Sequence, residues 1–208
     1  MEARILRVAL QLFAERGFHG TSIPLVLEAA HVGASALYRR FESKEALVNA
    51  VFRDAKGRLG DALREGLDPT REPRALFADL WARLVGFARA EPEAFHFLEL
   101  QDHAAYLDPQ SRLLEMSVLA PIYLALLDFQ RRGAMRGDVP AHLVMASVWG
   151  AFVGLMKAER NGYLRLTDES LAVARDACWR AFAIDEAKSH EPERSRPVKT
   201  RPQRTRRS

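Results

Sequence analysis

Cysteine is almost missing from this chain. Cys178 stands alone, so an internal disulfide is excluded and a reducing cytoplasm is the expected setting. Glycine-rich phosphate loops, a Gly-x-Ser-x-Gly turn and paired cysteines are also lacking, and with them the short signatures of nucleotide, acyl-transfer and zinc chemistry. An enzyme therefore has no positive support, and no cofactor or metal is expected. No segment alternates apolar and polar residues as a strand would, and no internal repeat occurs. The opening MEARILRVAL already carries Glu2, Arg4 and Arg7 where a signal segment would stay apolar. Uncharged runs are scarce as well. Val139 to Met156 passes eighteen residues without Asp, Glu, Lys or Arg, but it contains Pro140, His142 and Ser147 and has no second span beside it. A buried or subunit-interface helix is expected there, and no membrane partner.

What is present is a chain of 208 residues, 48% apolar, long enough to bury a substantial core. The net charge of +4 is unevenly placed: residues 189–208 hold seven Lys/Arg and two Glu, leaving 24 basic against 25 acidic side chains in the first 188. That tail of Pro, Arg, Lys, Ser and Thr has no large apolar residue to offset the entropy of ordering, and disorder is expected over 189–208.

Helical periodicity accounts for the rest. Ile5, Leu6, Ala9, Leu10, Leu12 and Phe13 form a stripe over residues 4–16, closed by Gly17. From Ser43 a helix runs to about Leu67, with Gly57 and Gly60 weakening it midway as a possible flexible point. Pro73, Pro92 and the Asp108-Pro109 pair open further helices, and Pro121 should kink or split the one after Pro109. Asp138 and Pro140 open the uncharged helix, and Thr167 caps a last one reaching about Ala187. The expectation is an all-α protein of about nine helices.

Residues 21–47, TSIPLVLEAAHVGASALYRRFESKEAL, read as two short helices at an angle with a third entered through Ser43. Thr21 can cap a helix carrying Val26, Leu27, Ala29 and Ala30 on its inner side, and residues 31–33 make the turn. Leu37 and Phe41 anchor the second helix, leaving Ala34, Ser35, Ala36, Tyr38, Arg39 and Arg40 outward. This is a helix-turn-helix, whose second helix is shaped for the DNA major groove. Together with ILRVALQLFAERGFHGTSI upstream, LYRRFESKEAL resembles the DNA-binding domain of the TetR/AcrR family of bacterial transcriptional repressors over about residues 4–52. His31 replaces the usual turn glycine and Ser35 an often-found second one, while Gly33 replaces a commoner serine cap.

The resemblance implies a helix-turn-helix domain over 1–52, an effector-binding and dimerisation domain over 53–188, and a homodimer on a double-stranded DNA operator. It implies phosphate contacts from Thr21, Tyr38 and Lys44, and base contacts from Ala34, Ser35 and Ala36. Arg39 is the one long side chain able to read guanine, and Arg40 adds positive charge. A small, largely apolar effector is implied in the C-terminal domain, and Trp81, Phe87, His96, Met116, Tyr123 and Trp149 are the candidates to line its site. Ala146, Gly150 and Gly154, spaced by four, form a smooth ridge, and with Ala174, Cys178 and Phe182 they match the family's dimer pair in position. His96, Glu99 and His103 fall at i, i+3 and i+7, read here as a solvated polar face before pocket groups or a metal site. Two rival readings are a helical metal- or cofactor-binding enzyme on residues 53–188 and a sequence-independent nucleic-acid binder relying on the basic tail.

Overall fold

The computed structural model describes residues 1–184; the tail over 189–208, and the end of the last helix expected at Ala187, lie outside them. Among the described residues the chain forms nine helices and no strand. They are α1 (Glu2–Gly20), α2 (Ile23–Ala30), α3 (Ala34–Tyr38), α4 (Lys44–Arg64), α5 (Pro73–Ala90), α6 (Pro92–Leu100), α7 (Pro109–Arg131), α8 (Ala141–Arg160) and α9 (Asp168–Phe182).

Local chemistry sets most of the starts. Ser43 accepts from the Ala46 N–H at 3.1 Å, Asp108 from Ser111 at 2.7 Å, and Thr167 and Ser170 cap each other's backbone. Pro73, Pro92 and Pro109 sit in first turns, where a missing N–H costs nothing. α1 breaks at Gly17, whose φ of 68° only glycine adopts without strain. α9 stops at Phe182 because the next residues leave it for an antiparallel bridge, Ala183 with Met135, that ties its end to the α7–α8 turn.

α7 runs through Pro121 as one helix, so the split offered as one outcome there does not occur, and α4 runs on through Gly57 and Gly60 as its pattern predicts. Gly60 is a point of close approach and no hinge: a Cβ there would lie 2.9 Å from Val118 Cγ2 of α7, whereas one at Gly57 would meet nothing within 4 Å. The uncharged helix also has a companion. α7 and α8 are both long and apolar enough to cross a bilayer by length and composition alone, so that run is not isolated. Each packs one face on the protomer, and their apolar character belongs in part to faces left exposed, Leu113, Met116 and Leu124 on α7 and Leu143 on α8.

A single core joins the N-terminal helices to the rest. Phe13 of α1, Phe52 of α4 and Phe97 of α6 are fully buried and meet in it, each burial contributing about 1.5–3 kcal/mol. α4 is the hub, packing against α1 at one end and α5, α6 and α7 along its length.

Candidate nucleic-acid interface and the cavity behind it

The helix-turn-helix forms on α2 and α3. His31 adopts the left-handed conformation, φ 50° and ψ 52°, that the turn needs, and its N–H reaches the Glu28 carbonyl at 3.1 Å. α3 is only five residues long. Leu37 and Phe41 are buried and pin it, and Ala34, Ser35, Tyr38, Arg39 and Arg40 are exposed, with Ala36 half-buried. Tyr38 is 51% exposed, so its ring and hydroxyl project beyond the protein surface. Arg39 folds back with Nε 3.2 Å from the Ser35 carbonyl, and Arg40 pairs with Glu2 at 3.4 Å, both in exposed positions from which they are readily redirected. Lys44 is held by its ammonium 4.1 Å above the Phe18 ring.

Thr21 does not belong to this surface. It is 1% exposed, and its hydroxyl lies 2.9 Å from the Gly17 carbonyl and 3.1 Å from that of Leu12, so its proton is committed to the end of α1. The cap of α2 is Ser22, whose hydroxyl accepts from Leu25. Ser22 is exposed at the N-terminus of α2, and it is the cap that sequence reasoning assigned to Thr21; its signal was the register of Pro24 two residues on. Ala29 is exposed as well, and Val26 and Ala30 alone bury α2 fully.

Behind the helix-turn-helix, the loop after α6 holds α1 and α4, the helices that flank it. Tyr106 stacks on Phe18 at 4.5 Å, Gln101 donates to the Ala14 carbonyl, and Asn49 of α4 donates to the Tyr106 carbonyl at 2.7 Å while accepting from the Asp108 N–H at 2.9 Å. Arg53 adds a 2.9 Å pair with Asp108. His103 sits inside this loop between the Tyr106 hydroxyl at 2.6 Å and the Phe97 carbonyl at 2.7 Å, and burial pushes its pKa below the ordinary range. Burial likewise drives Tyr106 up to about 12.

The expected face of His96, Glu99 and His103 does not exist, because α6 ends at Leu100 and the three side chains diverge. Glu99 is buried, receives the Trp149 indole N–H at 2.8 Å and lies 3.6 Å from Lys56 of α4; burial pushes its carboxyl up, against the pull of Lys56. Lys56, 3% exposed, also faces Glu115 at 3.5 Å. A lysine in phase with Phe52, Leu59 and Leu63 on an apolar stripe was the sequence signal for this buried cluster. His96 instead lines an open cleft with Arg160, and burial followed by that guanidinium lowers its pKa.

An apolar cavity of about 60 Å³ lies among α4, α5, α7 and α8, lined by Phe77, Leu80, Trp81, Ile122, Met145 and Trp149 among others. Of the candidate effector residues it gathers Trp81 and Trp149. Phe87 is buried but does not line it, and Tyr123, one residue and about 100° round α7 from Ile122, is likewise absent from the lining. Met116 is 67% exposed, about 120° off the α7 face formed by Ile122, Ala125, Leu126 and Phe129.

Ala146, Gly150 and Gly154 lie on the exposed face of α8, where a Cβ on either glycine would meet nothing within 4 Å. On α9, Ala174, Cys178 and Phe182 are half-buried against the protomer, and burial raises the Cys178 thiol. The exposed stripe of α9 is Val173, Ala177 and Ala181 instead, because Leu171 and Trp179 take the inward direction.

Comparison with known proteins places this geometry. Residues 5–51 match the model of the bacterial regulatory proteins of the tetR family, and residues 52–184 that of a tetracyclin repressor-like C-terminal domain. The transcriptional repressor KstR2 of Rhodococcus jostii is 34% identical over 76 residues, 35% of this chain and 37% of that protein's length. The repressor DhaR of a Mycobacterium species is 25% identical over 166 residues, 73% of this chain and 79% of its own. A TetR family transcription regulator from Marinobacter aquaeolei superposes with a TM-score of 0.78 at 24% identity, covering 88% of this chain and 95% of that one, a likeness of fold.

Proposed function

Because the chain belongs to the TetR family of regulatory proteins and is a DNA-binding transcriptional regulator, we propose that it is a cytoplasmic, homodimeric repressor released from a near-palindromic operator by a small apolar effector. It works by binding, without catalysis. The observation that carries the reading is a continuous link from cavity to DNA-reading helices. Trp149 lines the cavity, donates to Glu99, and Glu99 faces Lys56 on α4, the helix that follows the helix-turn-helix. A molecule that moves Trp149 disturbs a buried charge pair on α4, and a tilt of α4 changes the spacing of two recognition helices that must sit about 34–36 Å apart, or a multiple of it.

In this reading Ser35 and the methyls of Ala34 and Ala36 touch base edges, and Tyr38, Lys44 and Ser22 hold phosphates, fixing register without reading sequence. The exposed faces of α8, with Ala146, Gly150 and Gly154, and of α9, with Val173, Ala177 and Ala181, supply the two-fold contact.

The test starts from an operator selected out of random duplex DNA. Lys44→Ala removes one phosphate contact per subunit, so the slope of log affinity against log salt should fall by nearly 2 per dimer. Arg39→Ala should cost about 1–3 kcal/mol at one base position per half-site if it reads guanine, and an even loss across sequences would make it a phosphate contact. If Tyr38, Arg39 and Lys44 all prove dispensable, this docking is refuted. Should binding instead disappear only on removal of residues 190–208, the chain is a sequence-independent binder.

A further inference from the structure

A buried donor left without a partner costs about 1–3 kcal/mol, and native proteins leave few of them. Trp81 is one: it is 4% exposed, and its indole N–H is buried with no acceptor. It stands in the wall of the cavity behind the DNA-reading helices, where every other lining side chain is apolar except Trp149, whose N–H is already given to Glu99. Water is a poor tenant of such walls, because it needs two to four polar partners.

A second cavity of about 100 Å³ lies against the first. The two share Leu63, Leu80, Ile122 and Ala125, and the second continues past Gly60 and Pro121 to Leu67 and Pro69, with Arg64, its side chain 55% exposed and already paired with Asp61 at 3.0 Å, as its charged lining residue. Together they slightly exceed the ~150 Å³ that accommodates a benzene-sized guest. Pro121, which lines the second cavity, removes one rung from the α7 hydrogen-bond ladder.

Resting on the effector reading above, we propose that the ligand is a neutral, elongated, mainly hydrocarbon molecule with a single hydrogen-bond acceptor, a carbonyl or ether oxygen, that takes the Trp81 N–H. Its apolar body runs past Leu80 and Ile122 into the second cavity. A charged headgroup is excluded from the Trp81 end, since no ionisable side chain lines the first cavity and an unpaired buried charge costs far more than one hydrogen bond returns.

Methyl hexyl ketone, octane and octanoate serve as probes, with binding to the full chain measured by titration calorimetry. After correction for transfer from water, the ketone should bind about tenfold tighter than octane, the discrimination expected of one buried hydrogen bond, and octanoate weakest of the three. Trp81→Phe keeps the ring and removes the N–H, so the ketone's advantage over octane should vanish. Ile122→Trp blocks the passage between the cavities, and should lose methyl hexyl ketone while retaining butanone. Equal affinities for ketone and octane in the unaltered protein, an advantage that survives Trp81→Phe, or no binding of any probe would each overturn the proposal. Parallel operator titrations separate this from the regulatory reading: operator binding released by some other, charged compound sinks the ligand class alone, and failure to bind any operator sinks the regulatory reading.

Discussion

Replacing Lys56 by methionine would test the buried cluster quantitatively. The substitution fills nearly the same volume and leaves Glu99 facing the Trp149 indole with no cation beside it. Burial already pushes the Glu99 carboxyl up, and removing Lys56 takes away the main pull against that rise. The unfolded chain keeps the ordinary value of 4.5. Above 4.5 the folded variant therefore binds more proton than its unfolded state, and its stability falls as pH rises, by at most about 1.4 kcal/mol per pH unit. The destabilisation is therefore larger at about pH 7 than at about pH 5. Unaltered protein shares part of this slope, because Glu99 is raised there too. Urea unfolding at fixed protomer concentration, followed by circular dichroism at both pH values, reads it directly. A destabilisation that is no larger at about pH 7 than at about pH 5, or one that grows toward acid, would refute the assignment of Lys56 as the partner of a buried Glu99.

Gly57→Ala should stabilise the protein by about 0.5–1 kcal/mol, since α4 is continuous there and the site is open, whereas Gly60→Ala should destabilise it by about 1 kcal/mol through Val118; thermal melts of the pair separate the two. Gly154→Arg should yield monomers in analytical sedimentation, and a persistent dimer would move the contact away from α8. His103, whose pKa is lowered by burial, favours the fold fully above the ordinary value of 6.5, and that contribution is lost as pH falls below 6.5, by at most about 1.4 kcal/mol per pH unit. Urea midpoints of His103→Gln should lack that acid-side slope.

Features decided within a turn of chain were legible before any coordinates. Ser43, Asp108 and Thr167 cap the helices they announce, and His31 takes the left-handed turn expected of it. Features decided by a distant neighbour were not. Thr21 looks like a helix cap until the carbonyls of Leu12 and Gly17 close around its hydroxyl. Glu99 looks solvated until α8, fifty positions on, brings Trp149 to it. Spacing by four put Ala174, Cys178 and Phe182 in register, but only the packing of Leu171 and Trp179 fixes which stripe of α9 turns inward. The outward face of residues 34–40 was largely readable because it is built from consecutive residues; the cavity joins α4, α5, α7 and α8, and of six candidates scattered over α5 to α8 two line it.

The loop from Gln101 to Asp108 has a bearing on modularity. A recombination that exchanged residues 1–52 for those of another regulator would bring in new residues at positions 14, 18 and 49. Tyr106, Gln101 and Asp108, which grip those positions, would stay behind. Such a hybrid would carry its new recognition helix on an unmatched seat, because α1 and α4 would lose their fit to this loop even where each half folds. Transplanting the loop along with the N-terminal helices keeps lock and key together, so the portable unit of DNA recognition here is discontinuous in sequence, two segments held as one by Phe18 against Tyr106.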